Sequence, residues 1–234
     1  FVQYFASGPE LKGHFLRTVP VKEEIHITQP VAPYDDVKEI IKNNDRILVA
    51  PCACCGLAEG LGMEIDQPRE VCLLFGFFAD AHADKGIGRW ISQEEALKIL
   101  KESEEAGLIH RPTDTVPVEA LCNCGKFCGV VMAQKFNPIP AESWYSNYFA
   151  DLDPSLCSGC ETCVSRCHLG AIAMGEDEIA KIDLTRCIGC GLCASKCPTA
   201  AIRLCLKPDA VRHTSPESNP LWRSRREYAE DIKE

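Results

Sequence analysis

The sequence lacks the features that would place it with membrane, secreted or nucleic-acid-binding proteins. No apolar run approaches the roughly 20 residues that a membrane-spanning helix needs, and no segment resembles a signal peptide. Its 34 acidic residues outnumber 25 basic ones, and the net charge of −9 argues against a nucleic-acid partner. We therefore expect a cytoplasmic protein with no membrane span and no nucleic-acid partner.

Motifs for nucleotide binding and nucleophilic catalysis are also missing from the sequence. It contains no phosphate-binding loop and no nucleophile elbow. The glycines of "DKGIGRW" do not join a strand to a helix as a dinucleotide fingerprint requires. These absences favour a non-catalytic protein over an enzyme.

Cysteine, in contrast, is abundant. The 234 residues include 16 cysteines, while the hydrophobic content of 46% is ordinary for a globular protein. A chain of this length needs no disulfide scaffold for stability, so metal ligation is the leading explanation. Eight of the cysteines form two regular runs, and seven others occur in three groups before residue 130.

The two regular runs are copies of one unit. A shift of 30 residues aligns "DLDPSLCSGCETCVSRCHLGAI" with "KIDLTRCIGCGLCASKCPTAAI" and superimposes all eight cysteines. Neighbours this close mostly cannot form an unstrained disulfide, whereas thiolates at two-residue gaps can surround one metal centre. Zinc sites also use C-x2-C pairs, but zinc ribbons usually separate two pairs by a long insert.

This repeat resembles the bacterial two-cluster ferredoxin module, whose run is C-x2-C-x2-C-x3-C-P. The resemblance covers about residues 148–208, with His168 in place of the first proline. It implies an α+β protein with a pseudo-two-fold dicluster ferredoxin fold, in which the fourth cysteine of each run ligates the other cluster. The implied ligands are Cys157, Cys160, Cys163 and Cys197 for one [4Fe–4S] cluster, and Cys187, Cys190, Cys193 and Cys167 for the second.

Residues 1–147 predict an N-terminal domain of mixed α/β structure. A short helix carrying Val37 and Ile40 should precede a strand "RILVA", which leads into a cysteine-bearing loop between Pro51 and Gly56. The segment "WISQEEALKILKESEEAGLIH" predicts a helix that a Ser-x-x-Glu capping box starts and a glycine ends.

The N-terminal cysteines suggest a third metal centre. C-x-C-C and C-x-C-x3-C crowd oxidisable thiols into glycine-bearing segments with no gain in packing. A third iron–sulfur cluster, a zinc ion and reduced thiols without metal all remain open. The candidate ligands are Cys52, Cys54, Cys72, Cys122, Cys124 and Cys128.

The order of these motifs is similar to that of 4Fe–4S binding electron-transfer proteins with a cysteine-containing N-terminal domain. The segments "PCACC", "EVCLLFG" and "LCNC", followed by the dicluster module, carry this resemblance. It implies electron transfer, as a ferredoxin-like protein or as a subunit of an oxidoreductase complex with a redox partner protein. The alternative is a redox enzyme or sensor with a special iron–sulfur centre that the ferredoxin domain supplies with electrons. Residues 209–234 would form a tail for partner contact.

Overall fold

The computed structural model describes residues 16–21, 36–128, 131–132 and 146–208, and the predicted tail over 209–234 lies outside them. Helices and strands are both present, as expected for an α+β protein. The helices are α1 (Val37–Lys42), α2 (Ala53–Gly60), α3 (Gly76–Ala83), α4 (Gln93–Glu105) and α5 (Thr162–Arg166). The strands are β1 (Ile47–Pro51), β2 (Glu70–Leu74), β3 (Arg89–Ile91), β4 (Ile109–Pro112), β5 (Ala120–Cys124), β6 (Tyr148–Leu152), β7 (Ile172–Met174), β8 (Ala180–Ile182) and β9 (Ile202–Leu206).

The N-terminal part is built on a five-stranded antiparallel sheet in the order β3-β1-β2-β5-β4. Alternate residues of β1 pack on opposite faces, so that Val49 joins a core with α1 and α4 while Leu48 packs with Ala79 of α3. Cover on both faces explains why "ILVA" is a continuous apolar run rather than an alternating one.

Two predicted helices are confirmed, because α1 and α4 fall where the sequence placed them. Ser92 caps α4 by accepting a hydrogen bond from the backbone N–H of Glu95 at 3.1 Å. The carboxylate of Glu95 binds Arg89 at 2.6 Å. Gly107 follows the helix with φ of +79°, the left-handed conformation that commonly ends a helix.

The predicted loop between Pro51 and Gly56 is wrong, because a helix begins there. Cys52 is the N-cap residue of α2, and its carbonyl accepts the N–H of Gly56 at 3.0 Å. Helix-favouring residues such as Ala58 and Glu59 follow, and they outweigh the glycine that suggested a turn.

The C-terminal part contains two antiparallel strand pairs, β6 with β9 and β7 with β8. The sequence repeat builds the same local turn twice. The N–H of Asp153 bonds the carbonyl of Ala201, and the N–H of Asp183 bonds that of Ala171, both at 2.8 Å. The carboxylate of each aspartate then accepts a hydrogen bond from the backbone N–H two positions later, at 3.0 Å for Asp153 and 2.9 Å for Asp183.

The two parts share one apolar cluster. Ile109, Cys124 and Cys128 pack there with Leu169, Ile188 and Leu192 of the cysteine runs. Residues 16–21 run along β4, and the N–H of Val21 reaches the carbonyl of Cys190 at 3.0 Å. The cluster and this segment connect the N-terminal sheet to the second cysteine run.

Among the described residues, none of the helices combines the length and the apolar character that crossing a membrane requires.

Candidate metal centres

The first cysteine run lines a pocket that receives its fourth cysteine from the second run. Its cysteines are Cys157, Cys160, Cys163 and Cys197. Met174, Ala180 and Ile202 contribute apolar walls. Cys163 is buried and Cys160 is exposed, so the pocket lies at the protein surface. The structure therefore brings together the four cysteines that the resemblance groups for one cluster.

The second run lines a deeper pocket in the reciprocal way. Its cysteines are Cys167, Cys187, Cys190 and Cys193. Ile109 of β4 also lines this pocket, which places it against the N-terminal part. Burial raises the pKa of the Cys190 thiol to about 12 and holds that of Cys193 well above its usual range. Thiolates at these positions would need a cation beside them, as a bound metal centre would provide.

The two pockets contain about 330 and 410 Å³ of space between protein atoms, part of it open to solvent. Among the described residues, no three or more His, Cys, Asp or Glu side chains are arranged to hold a single metal ion. In each pocket four thiols instead surround one shared space. Four cysteine thiolates are the protein ligands of a [4Fe–4S] cubane.

Glycines shape the loops that carry these thiols. Gly159 and Gly189 lie between the first two cysteines of their runs, with φ of +70° and +60°. Glycine adopts this left-handed conformation at little cost. A Cβ atom at Gly189 would also overlap the carbonyl group of Tyr148, so only glycine lets this loop pass so close to β6.

Hydrogen-bond donors lie beside several of the pocket sulfurs. The backbone N–H of Ala171 donates to Cys167 Sγ at 3.3 Å, and the Thr199 hydroxyl lies 3.7 Å from Cys197 Sγ. Hydrogen bonds from the side chain and backbone of Thr162 lower the pKa of the Cys160 thiol. Such donors stabilise thiolates, and they would raise the reduction potential of a cluster bound there.

The six candidate cysteines of the N-terminal part form a closed ring of side-chain contacts. Cys52, Cys54 and Cys72 pack in one cluster, and Cys54, Cys122, Cys124 and Cys128 pack in another. The electrostatic interactions between neighbouring thiols follow the order Cys52, Cys54, Cys128, Cys124, Cys122 and Cys72 and return to Cys52. They come from the start of α2, from β2, from β5 and from the segment that follows it. Residues separated by as many as 76 positions therefore meet at one place, as the third-centre prediction requires.

Neighbouring thiols of this ring shift one another's pKa in opposite directions, with Cys72 and Cys124 raised and Cys52, Cys122 and Cys128 lowered. Hydrogen bonds from Cys54 and Cys72 lower the pKa of the Cys52 thiol to about 2. Hydrogen bonds also hold the pKa values of Cys122 and Cys128 well below the usual range, and Arg111 adds a smaller effect of the same sign. Hydrogen bonding within the ring therefore stabilises the thiolate form at these three positions, and cysteine thiolates are the donors that iron–sulfur clusters and zinc both use.

Two other cysteines lie outside the ring. Cys55 contacts the ring through Cys52, and its sulfur accepts a hydrogen bond from Gln67 Nε2 at 3.2 Å. Cys205 lies half-buried on β9.

The residues that join the second pocket to the N-terminal part did not emerge from the sequence. Arg166 donates from Nη2 to the carbonyl of Glu104 and from Nε to that of Leu192, both at 2.9 Å. His168 Nε2 lies 2.7 Å from the carbonyl oxygen of Gly107. The available signals were the basic residue that precedes the fourth cysteine in each copy, Arg166 and Lys196, and the presence of His168 in place of proline.

Comparison with known proteins bears on the C-terminal part only. Residues 150–204 match the protein family described as 4Fe-4S dicluster domain. This segment contains all eight cysteines of the two runs, and the match indicates 4Fe–4S clusters and iron–sulfur electron transfer. No curated protein matches the chain.

Proposed function

We propose that this protein transfers electrons through two [4Fe–4S] clusters bound crosswise by its cysteine runs, in a pseudo-two-fold ferredoxin domain over residues 148–208. One cluster would be held by Cys157, Cys160, Cys163 and Cys197, and the other by Cys187, Cys190, Cys193 and Cys167. When bound, such clusters accept and release one electron each.

The composition of the two pockets carries the proposal. Each pocket takes three cysteines from one copy and the fourth from the other copy. A straight arrangement, in which each copy supplied its own four cysteines, would have placed Cys167 in the first pocket and Cys197 in the second. Because four cysteine ligands fill the protein positions of a cubane, the ferredoxin domain would conduct electrons rather than bind substrate.

The burial of the pockets suggests an order for the electron path. Cys160 is exposed at the first pocket, where a redox partner protein could approach. The second pocket is lined by Ile109 and shares an apolar cluster with Cys124 and Cys128 of the thiol ring. We propose the order partner, first cluster, second cluster and N-terminal centre, with residues 1–147 as the domain that contains this last centre.

The thiol ring also favours the second candidate function, a redox enzyme or sensor. A cubane needs four cysteine ligands, and the ring offers six. The two additional cysteines are the observation that would distinguish this centre from one that only passes electrons on. A third iron–sulfur cluster at the ring remains our proposal for its cofactor.

Paired substitutions test the crosswise arrangement through the iron content of anaerobically prepared protein. We expect about eight iron atoms for two clusters and about twelve if the ring holds a third. The double variant Cys157→Ser with Cys197→Ser should lose about four of them, since both ligands belong to one cluster. Cys157→Ser with Cys167→Ser should lose about eight, because it damages both clusters.

The matched control is Cys205→Ser, which removes a thiol outside both pockets and the ring and should retain all iron. The opposite pattern in the double variants would show that each run holds its own cluster. Protein without iron, or with zinc in its place, would refute the proposed function.

A further inference from the structure

The strongest unassigned feature is the pair of thiols at the start of α2. Cys52 and Cys55 have the spacing C-x-x-C, with Cys52 at the N-cap and Cys55 in the first turn. The hydrogen bond from the Gly56 N–H to the Cys52 carbonyl closes that turn, which brings positions three apart to one side of the helix. Cys52 and Cys55 pack in the same buried cluster.

We propose that Cys52 and Cys55 form a redox-active dithiol, which couples the one-electron clusters of the proposed function to two-electron disulfide chemistry. On oxidation, the two S–H bonds break and one bond forms between Cys52 Sγ and Cys55 Sγ. Two protons leave, and two electrons pass singly to two oxidised [4Fe–4S] clusters. The reverse reaction returns the electrons and protons to the disulfide. This proposal rests on the proposed function, because those clusters are its electron acceptors.

The local geometry suits formation of this bond. Cα atoms three positions apart in a helical turn lie within the 4.4–6.8 Å range that disulfides span, at about 5 Å. Both residues are also buried in one apolar cluster, together with Val71 and Leu108. A C-x-x-C pair at a helix N-terminus is an arrangement that redox-active dithiols use.

Burial decides where the electrons go. Cys52 is 7% exposed and Cys55 is fully buried, so an external thiol or disulfide cannot reach their sulfurs directly. Exchange therefore has to take place inside the protein. Cys52 is also a member of the thiol ring, which contacts the apolar cluster containing Cys167 and Cys190 of the second pocket.

The N-terminal part has enough thiols for a dithiol and a third cluster to form side by side. If Cys52 joins Cys55, five ring thiols remain, one more than a cubane requires. The Gln67 amide donates a hydrogen bond to Cys55 Sγ at 3.2 Å. In the proposed dithiol, the cysteines that one cubane does not need take part in redox chemistry.

An electron count on the intact protein tests the proposal. The iron-loaded chain is oxidised anaerobically with a redox dye and then titrated with dithionite. The wild type should take up two more electrons per molecule than Cys55→Ser. Serine keeps an acceptor for the Gln67 amide and lies outside the ring, so this variant should retain its iron. Cys205→Ser is the matched control and should take up as many electrons as the wild type.

Peptide mapping of the wild type provides an independent measurement. After oxidation and alkylation in denaturant, the peptide with Cys52 and Cys55 should be unalkylated and lighter by two hydrogens. Alkylation of both cysteines in the oxidised protein, equal electron counts for wild type and Cys55→Ser, or loss of iron from Cys55→Ser would each overturn the dithiol. A mapped disulfide in protein that binds no iron would instead refute the proposed function and the coupling.

Discussion

Replacing Gly189 by alanine tests whether the second cysteine loop depends on its close approach to β6. The repeat supplies the control, because Gly159 occupies the matching position of the first loop with nearly the same backbone conformation. Left-handed backbone costs an alanine roughly 1–2 kcal/mol, so both substitutions should be unfavourable. The two glycines differ only in the atoms that surround them.

The difference in free energy follows from what the new methyl group meets. At Gly159 the added Cβ would lie 3.0 Å from the carbonyl oxygen of Glu178. At Gly189 it would overlap the carbonyl group of Tyr148 and lie 2.9 Å from Ser146 Oγ. Overpacking of this kind costs about 1–3 kcal/mol, and Tyr148 is buried at the start of β6, where the backbone cannot easily move.

We therefore expect Gly189→Ala to cost about 1–3 kcal/mol more than Gly159→Ala. If that cost raises the free energy of the folded, metal-bound state, Gly189→Ala should lose its clusters roughly 5- to 150-fold faster than Gly159→Ala. The assay follows the visible absorption of both variants with an iron chelator present. Equal rates for the two variants, or slower loss from Gly189→Ala, would refute the expected clash between the added methyl group and Tyr148.

Two further predictions concern the contact between the two parts and a buried histidine. Arg166→Ala removes charged hydrogen bonds to the carbonyls of Glu104 and Leu192, which should cost about 2 kcal/mol and accelerate loss of one cluster in a biphasic absorption decay. Lys101→Ala, which removes an exposed basic side chain of α4, should leave the decay unchanged, and equal effects of the two substitutions would contradict this role of Arg166. Burial lowers the pKa of His110 to about 4, whereas the unfolded chain has a histidine pKa of about 6.5. The unfolded state therefore binds a proton more readily than the folded state between these two pH values. As the pH falls from 6.5 toward 4, the free energy of unfolding should decrease by about 3 kcal/mol. His110→Gln should lack this loss in urea unfolding, and a wild-type-to-variant difference that does not change with pH would refute it.

Much of the candidate site could be predicted because its ligands are local. The eight cysteines recur at short spacings within two matched runs, and short loops carry such spacing directly into three dimensions. The helix over Gln93–Glu105 could be predicted equally well, because the Ser92 cap and the apolar stripe depend on residues only a few positions apart. The start of α2 was misread, because Gly56 suggested a turn while the residues after it favour a helix.

The sequence by itself determined the two cysteine runs, the dicluster resemblance and an excess of thiols near the N-terminal end. Only the tertiary structure brought six distant thiols together in a ring and joined the second pocket to the N-terminal sheet. The physical reason is the range of the forces that decide each feature. Backbone propensity and ligand spacing act over a few residues, whereas the ring and the contact through Arg166 depend on strand pairing and apolar burial between segments far apart in the chain.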